Sequence, residues 1–186
     1  MNHAFRRSLP ILVSLCFLHL AHAHEKQWPE KRLRQVWPTA QSFTSRQMTL
    51  TADQTSKLSA GGVKLGSEDR SPIFYFAKSE AANSSQSKSL GVIFFVDEYG
   101  SNGKMEISLA IGADGHLKKV DIWDHSENSA VAQTDFLKQF IDKTSNDTFV
   151  PNKDYMPIPD AIQASQAVAF GVEKGLKITN IVFEKK

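Results

Sequence analysis

Apolar residues in the middle of the chain form short runs separated by turn sequences, which predicts neighbouring β-strands. Residues 90–99 and 104–112 are two such runs, and the Gly-Ser-Asn-Gly turn at 100–103 between them is typical of a hairpin. A second turn, containing Asp114-Gly115, leads into the third run at 117–124, because Asp-Gly tolerates the positive φ angles of tight hairpins. The pattern therefore predicts an antiparallel meander at the centre of the fold.

Helical periodicity appears on both sides of this meander. Thr51 followed by Gln54 is a capping-box pattern, which predicts a short helix from that point. Residues 131–142 carry apolar side chains at helical spacing, and Phe136 and Phe140 are expected in the core.

A C-terminal helix is expected to begin near Asp160, whose side chain would cap the amides of residues 161–163. The helix would bury a stripe made of Ala161, Ala164, Val168, Val172 and Leu176. Residues 73–77 and 178–184 are expected to add strands to the sheet. The predicted class is α+β: a single domain with helices packed on an antiparallel sheet.

The first residues have the layout of a secretory signal peptide. Residues 1–7 are basic, residues 8–20 are apolar, and Ala21-His22-Ala23 predicts cleavage after Ala23. The alternative is a membrane anchor, but the run is shorter than the ~20 apolar residues of a spanning helix. We therefore predict a signal peptide at 1–23, an N-terminal arm at 24–48 and a domain at 49–186, in a periplasmic or otherwise extracytoplasmic protein.

Cleavage changes the charge and the cysteine content. Removal of Arg6 and Arg7 reduces 22 basic residues to 20, which balance 20 acidic ones, so no nucleic-acid partner is expected. Cys16 is the only cysteine and also leaves, so the mature chain has no thiol chemistry and no disulfide. The chain contains no glycine-rich nucleotide fingerprint, P-loop or metal-binding helix motif, and its six histidines are scattered.

The order of several segments resembles a known family. These segments are residues 111–120 (IGADGHLKKV), 123–128 (WDHSEN), 136–140 (FLKQF), and a helix start followed by Ser165-Gln166-Ala167-Val168. Together they are similar to the FMN-binding domain of the flavin-carrying subunits of sodium-pumping NADH:quinone oxidoreductase and Rnf-type complexes, and of stand-alone exported relatives. The resemblance covers residues 90–176. It implies FMN as cofactor and a redox partner protein or membrane electron-transfer complex.

The sequence departs from the family at the flavin-attachment motif. Members with covalent flavin have Ser/Thr-Gly-Ala-Thr-x-Ser-Ser, which falls without a gap on residues 159–165. Ala161 and Ser165 match, whereas Asp160 replaces the glycine and Ile162 replaces the threonine that is esterified to the FMN phosphate. Another placement, with a four-residue deletion, offers no threonine either. The resemblance therefore implies that any FMN is held without a covalent bond.

The resemblance also indicates which residues would contact FMN. Glu127 falls on a family glutamate and is followed by Asn128, while Ala161, Ile162, Gln163 and Ser165 fall at the phosphate-binding helix start. Glu127 is also typical of a solvated turn, and Ser165 of an ordinary first helical turn. Trp123 either stacks on the flavin or packs in the core.

Charge opposes phosphate binding at this helix start. A carboxylate at Asp160 about 5 Å from a phosphate would cost about 3 kcal/mol at an effective dielectric of 20. Lys138 or Lys153 would have to compensate for it.

Three functions remain open from the sequence. The first is an extracytoplasmic electron carrier with non-covalent FMN, in which no side chain need act as a catalytic acid or base. The second is a flavin-free relative that serves as a binding or accessory module. The third is an exported hydrolase, although no serine has a recognisable nucleophile context.

Overall fold

The computed structural model describes residues 29–80 and 85–184. The predicted signal peptide and Trp28 of the predicted arm lie outside the described residues. The helices are α1 (Glu30–Val36), α2 (Ala52–Ala60), α3 (Thr134–Leu137) and α4 (Ile162–Phe183). The strands are β1 (Ser42–Gln47), β2 (Ile73–Lys78), β3 (Ser89–Tyr99), β4 (Lys104–Gly112) and β5 (Leu117–Trp123).

The five strands form one antiparallel sheet in the order β1-β2-β3-β4-β5. Each strand pairs with its neighbour in the chain, as in the pairs Tyr75 with Ile93 and Phe94 with Leu109. The α+β class and the antiparallel meander predicted from the sequence are confirmed.

The sheet has a core on each face because side chains alternate along each strand. On β3, Val92, Phe94 and Val96 belong to the larger core under α4, whereas Ile93 belongs to a smaller core under α1. Phe136 and Phe140 lie in the larger core as predicted, with ring centroids 5.4 Å apart.

Helix α4 lies close to the sheet because it carries two glycines on its buried face. A Cβ atom at Gly175 would lie 2.0 Å from Leu109 Cδ1, and one at Gly171 would lie 2.6 Å from Ile107 Cδ1. Ala164, Val168, Val172 and Leu176 of the predicted stripe are buried. These small side chains allow the backbone of α4 to approach β3 and β4.

Two element predictions are wrong. Residues 178–183 continue α4 and do not form a strand, because Ile178 stays on its buried face. Residues 131–142 do not form one helix. This part of the chain instead contains three short elements in succession: a 3-10 turn at Ser129–Ala132, α3, and a 3-10 turn at Lys138–Phe140. Gln133 interrupts them with an extended backbone, φ −81° and ψ 146°.

The predicted arm contains two regular elements. Helix α1 packs Leu33 and Val36 into the smaller core, and β1 pairs with β2 at the edge of the sheet. The capping box predicted at the start of α2 is confirmed, because Thr51 and Gln54 exchange both hydrogen bonds.

Candidate functional site

The turn between β3 and β4 contacts the segment that follows β5. The Asn102 amide donates to Glu127 Oε1 at 2.5 Å. Glu127 reaches this position because Gly100 has no side chain: a Cβ atom there would lie 2.5 Å from Glu127 Oε1. The carboxylate predicted as a flavin contact therefore holds the hairpin turn in place.

The start of α4 meets the same turn. Ser101 Oγ donates to Gln163 Oε1 at 3.2 Å. Because Ser101 and Asn102 are adjacent, the predicted site residues Glu127 and Gln163 contact the same turn. Ala161 and Ile162 precede Gln163, and Ile162 is 53 % exposed.

The predicted cap of α4 by Asp160 is wrong. Pro159, Asp160 and Ala161 form a 3-10 turn, which the Ala161 amide closes by donating to the Ile158 carbonyl at 2.9 Å. Asp160 lies inside this turn, Ala161 occupies the N-cap position, and no side chain caps the helix. The first-turn amides of α4 are therefore left without a side-chain acceptor.

Ser165 faces the interior. Its hydroxyl is fully buried and accepts a hydrogen bond from the Ile158 amide at 3.0 Å. This bond fixes the segment before α4 against the first turns of the helix.

Asn128 and His125 flank Glu127. Asn128 Oδ1 accepts from the Ala130 amide at 2.9 Å and caps the 3-10 turn that follows. His125 Nδ1 is buried and has no hydrogen-bond partner among the described residues. His125 Nδ1 is therefore a buried polar atom that the described residues leave without a hydrogen bond.

Trp123 packs on the face of the sheet that α1 covers. Its Nε1 donates to the buried Ser108 Oγ at 2.8 Å, and the Arg32 guanidinium lies 5.1 Å from the centre of its ring. Arg32 also pairs with Asp124 at 2.7 Å and with Glu106. Trp123 is therefore a packing residue under α1, which is one of the two roles considered from the sequence.

The site is acidic. Among residues 29–80 and 85–184, no basic side chain forms an ion pair with Asp160 or Glu127. Lys138, which was considered as a compensating charge, pairs with Asp135 at 2.6 Å. Lys153 lies in an exposed turn at 151–155.

Sequence reasoning missed a buried ion cluster farther along α4. Lys174 Nζ lies 3.1 Å from Asp69 Oδ2, 2.7 Å from Glu98 Oε1 and 3.2 Å from the Asp97 carbonyl oxygen. Burial lowers the pKa of Lys174, but Glu98 and Asp69 outweigh burial, so the pKa lies above its ordinary value. The sequence did contain one clue to this cluster: Lys174 lies among the small and apolar residues of the buried face of α4.

The cluster borders a cavity of about 470 Å³, with the exposed Phe170 and Tyr99 on its wall. A second cavity, of about 670 Å³, lies at the far end of α4, and a third, of about 290 Å³, lies beside Arg32. None of these three cavities is lined by a predicted flavin contact.

No model of a protein family matches the chain, and no curated protein matches it significantly. None of the described helices is long and apolar enough to cross a membrane, including the 22-residue α4.

Proposed function

We propose that this chain is an exported electron carrier that holds FMN without a covalent bond at the start of α4. Its partner would be a redox protein or a membrane electron-transfer complex outside the cytoplasm. The observation that carries the proposal is the uncapped first turn of α4, which lies beside the turn at 100–103. Unpaired amides and the positive end of a helix dipole attract phosphate.

The residues present fit a non-covalent phosphate but not a covalent one. The backbone amides in the first turn of α4 that the preceding 3-10 turn does not use would receive the phosphate, and the Ile162 side chain has no oxygen to esterify. Glu127 would hold the turn; His125, two residues earlier in the chain, has a buried Nδ1 without a hydrogen-bond partner among the described residues. The bound flavin would supply the redox chemistry.

A flavin-free binding or accessory module is the second candidate. Asp160 and Glu127 make the site acidic without a paired cation in the described part of the chain, which opposes a phosphate. Ile162 and Met156 are more than half exposed near the helix start, and apolar side chains of this kind suit a protein partner.

The first experiment is the absorption spectrum of protein purified from the extracytoplasmic fraction. We expect flavin bands whose colour passes to the supernatant on acid precipitation, and an N-terminus at residue 24. Colour retained in the pellet would show a covalent bond and contradict the proposal. An N-terminus at Met1 would contradict export.

A flavin titration then tests the role of Asp160. Asp160→Asn removes the charge, and Asp160→Gly also allows closer approach of the backbone. We expect both to raise FMN affinity in low-salt buffer, by up to about a hundredfold. Asp135→Asn is the matched control, because Asp135 is exposed and paired with Lys138.

The titration has two adverse outcomes. Equal affinity in wild type and Asp160→Asn would show that the carboxylate is irrelevant to FMN. Failure of all variants to bind FMN, including Asp160→Gly with Ile162→Thr in the presence of a flavin transferase, would favour the flavin-free module.

A further inference from the structure

The largest of the three cavities lies between the sheet and the last turns of α4. Phe76, Val92 and Ile111 are neighbours across β2, β3 and β4 and form its apolar floor. Leu176 and Phe183 of α4 complete the apolar wall, and the Phe183 ring packs edge-on against Phe76 at 5.7 Å. At about 670 Å³, the cavity has the size of small-molecule sites.

One buried polar group on this wall has no partner. Thr179 is 7 % exposed, lines the cavity, and its Oγ1 makes no hydrogen bond among the described residues. Buried hydroxyls are nearly always paired, so an orphan of this kind calls for a missing partner. The polar residues Asn180, Ser145 and Asn146 also line the cavity.

The charges around the cavity disfavour an anion. Asp114, His116 and Glu184 line it, and none of the described residues that line it is a lysine or an arginine. Lys118, whose side chain lies against the lining residue Gly112, pairs with Asp114 at 2.9 Å and lies 3.8 Å from Asp142. The carboxyl end of α4 adds the negative end of the helix dipole and carries no basic residue in its last turn.

This cavity is separate from the proposed flavin site. The two lie at opposite ends of α4, whose 22 residues span about 33 Å. Its charge also opposes the phosphate of FMN. An occupant of this cavity must therefore be sought in a different class of molecule.

We propose that this cavity is a binding site for a small amphipathic organic molecule with an apolar body and a hydrogen-bonding head group that carries no negative charge. The body lies on the floor formed by Phe76, Val92 and Ile111. The head group pairs with Thr179 Oγ1, which has no other partner among the described residues; because this atom is closed to solvent, the Thr179 side chain must turn toward the cavity to make the bond. The site does not depend on FMN binding.

The test uses three probes that share one apolar body: phenylpropanol, phenylpropylamine and phenylpropanoate. Each is titrated into the labelled protein while the backbone amide resonances are recorded by NMR. We expect saturable shifts with the alcohol or the amine at residues 112–116, 144–146 and 176–184. The carboxylate is expected to bind at least tenfold more weakly.

Two variants connect binding to the cavity. Thr179→Val keeps the shape and removes the hydroxyl, so we expect binding to weaken by up to about tenfold without any fall in the melting temperature. Asn180→Trp places a large ring at an exposed position of the wall and should abolish binding. Thr134→Val, at an exposed position of α3, is the matched control and should leave binding unchanged.

Three results would overturn the proposal. One is the absence of saturable shifts with both the alcohol and the amine. Another is equal binding of the carboxylate. The third is binding that neither Thr179→Val nor Asn180→Trp alters, since the probe would then occupy another part of the surface.

Discussion

Lys174 places an ammonium group on the buried face of α4. Removing such a group from water is costly unless its charge and its N–H groups are matched. Here the three N–H groups meet three acceptors, the Asp69 and Glu98 carboxylates and the Asp97 carbonyl. The cluster joins α4 to the end of β3 and to the 3-10 turn that contains Asp69.

Lys174→Met tests this cluster. It leaves two poorly hydrated carboxylates without a cation, so we expect a loss of about 3–5 kcal/mol in the free energy of unfolding. Urea unfolding near neutral pH gives the value. Lys177→Met is the matched control, because Lys177 pairs with Glu173 on a more exposed face and should cost at most about 1 kcal/mol.

The ion cluster around Lys174 also predicts that the stability of the fold depends on pH. The folded-state pKa of Lys174 lies above its unfolded value, so its contribution is complete below about pH 10.5 and declines as the pH rises through the folded pKa. The stability difference between wild type and Lys174→Met should therefore shrink in strongly alkaline buffer. A difference that stays constant, or that equals the one for Lys177→Met, would show that the charge of Lys174 does not stabilise the fold.

Contacts between individual residues were harder to predict from the sequence than helices, strands or the fold class. The adjacency of Ala161, Ile162 and Gln163 follows from the chain itself, but the Ser101–Gln163 contact joins residues 62 positions apart. Lys174 and Asp69 are 105 positions apart. Local periodicity contains no information about such pairs, because they depend on how whole elements pack.

At the scale of elements, strands with two buried faces and clear turns were predictable. β3 and β4 combine long apolar runs with glycine-rich turns, and their positions agree with the prediction. β1 was missed because Phe43 is its only buried residue and its other side chains are polar. An edge strand of this composition has almost no hydrophobic pattern.

At the end of α4, the sequence predicts a strand where the structure has a helix. Ile178, Thr179, Ile181 and Val182 are β-branched and locally favour a strand. They continue the helix because Ile178 and Thr179 are buried on the face that α4 already turns to the sheet. Packing of the whole helix outweighs the local preference of its last residues.

Gly175→Ala tests the close packing of α4. Helix propensity alone would make this change stabilising by about 1 kcal/mol. The new Cβ atom would, however, lie 2.0 Å from the fully buried Leu109 Cδ1, and overpacking of this kind costs about 1–3 kcal/mol. We therefore expect a lower melting temperature.

Gly171→Ala provides the graded comparison. Its nearest neighbours would be Ile107 Cδ1 at 2.6 Å and Glu98 Cγ at 3.1 Å, both farther away than the 2.0 Å contact at Gly175, so we expect a smaller loss than at Gly175. Stabilisation by either alanine would mean that α4 lies farther from the sheet than the structure places it.

At the scale of the whole molecule, a helix packs on each face of the sheet. Helix α4 covers one face, and α1 covers part of the other through Leu33, Val36 and the ion pairs of Arg32. Burial raises the pKa of the Glu106 carboxyl, and the adjacent Arg32 opposes this shift. These contacts attach the first described helix to β4 and to the edge strand β5.

Leu33→Ala tests whether α1 folds as part of the domain. Leu33 is 0 % exposed, and alanine favours helix at least as well as leucine, so any loss must come from packing. We expect the free energy of global unfolding to fall by about 2–5 kcal/mol. Gln35→Ala is the matched control, because Gln35 is exposed on the same helix and should change stability little.

Amide hydrogen exchange distinguishes two cases: α1 unfolds together with the sheet, or α1 opens independently of it. If α1 belongs to the cooperative unit, the Trp37 amide, which donates to the Leu33 carbonyl at 2.8 Å, should exchange with a free energy close to that of β3. Leu33→Ala should then accelerate exchange in β3 and β4 as well as in α1. Fast exchange confined to α1, with unchanged global stability in Leu33→Ala, would show that the helix rests on a sheet that is already stable, and the domain would then begin at β1.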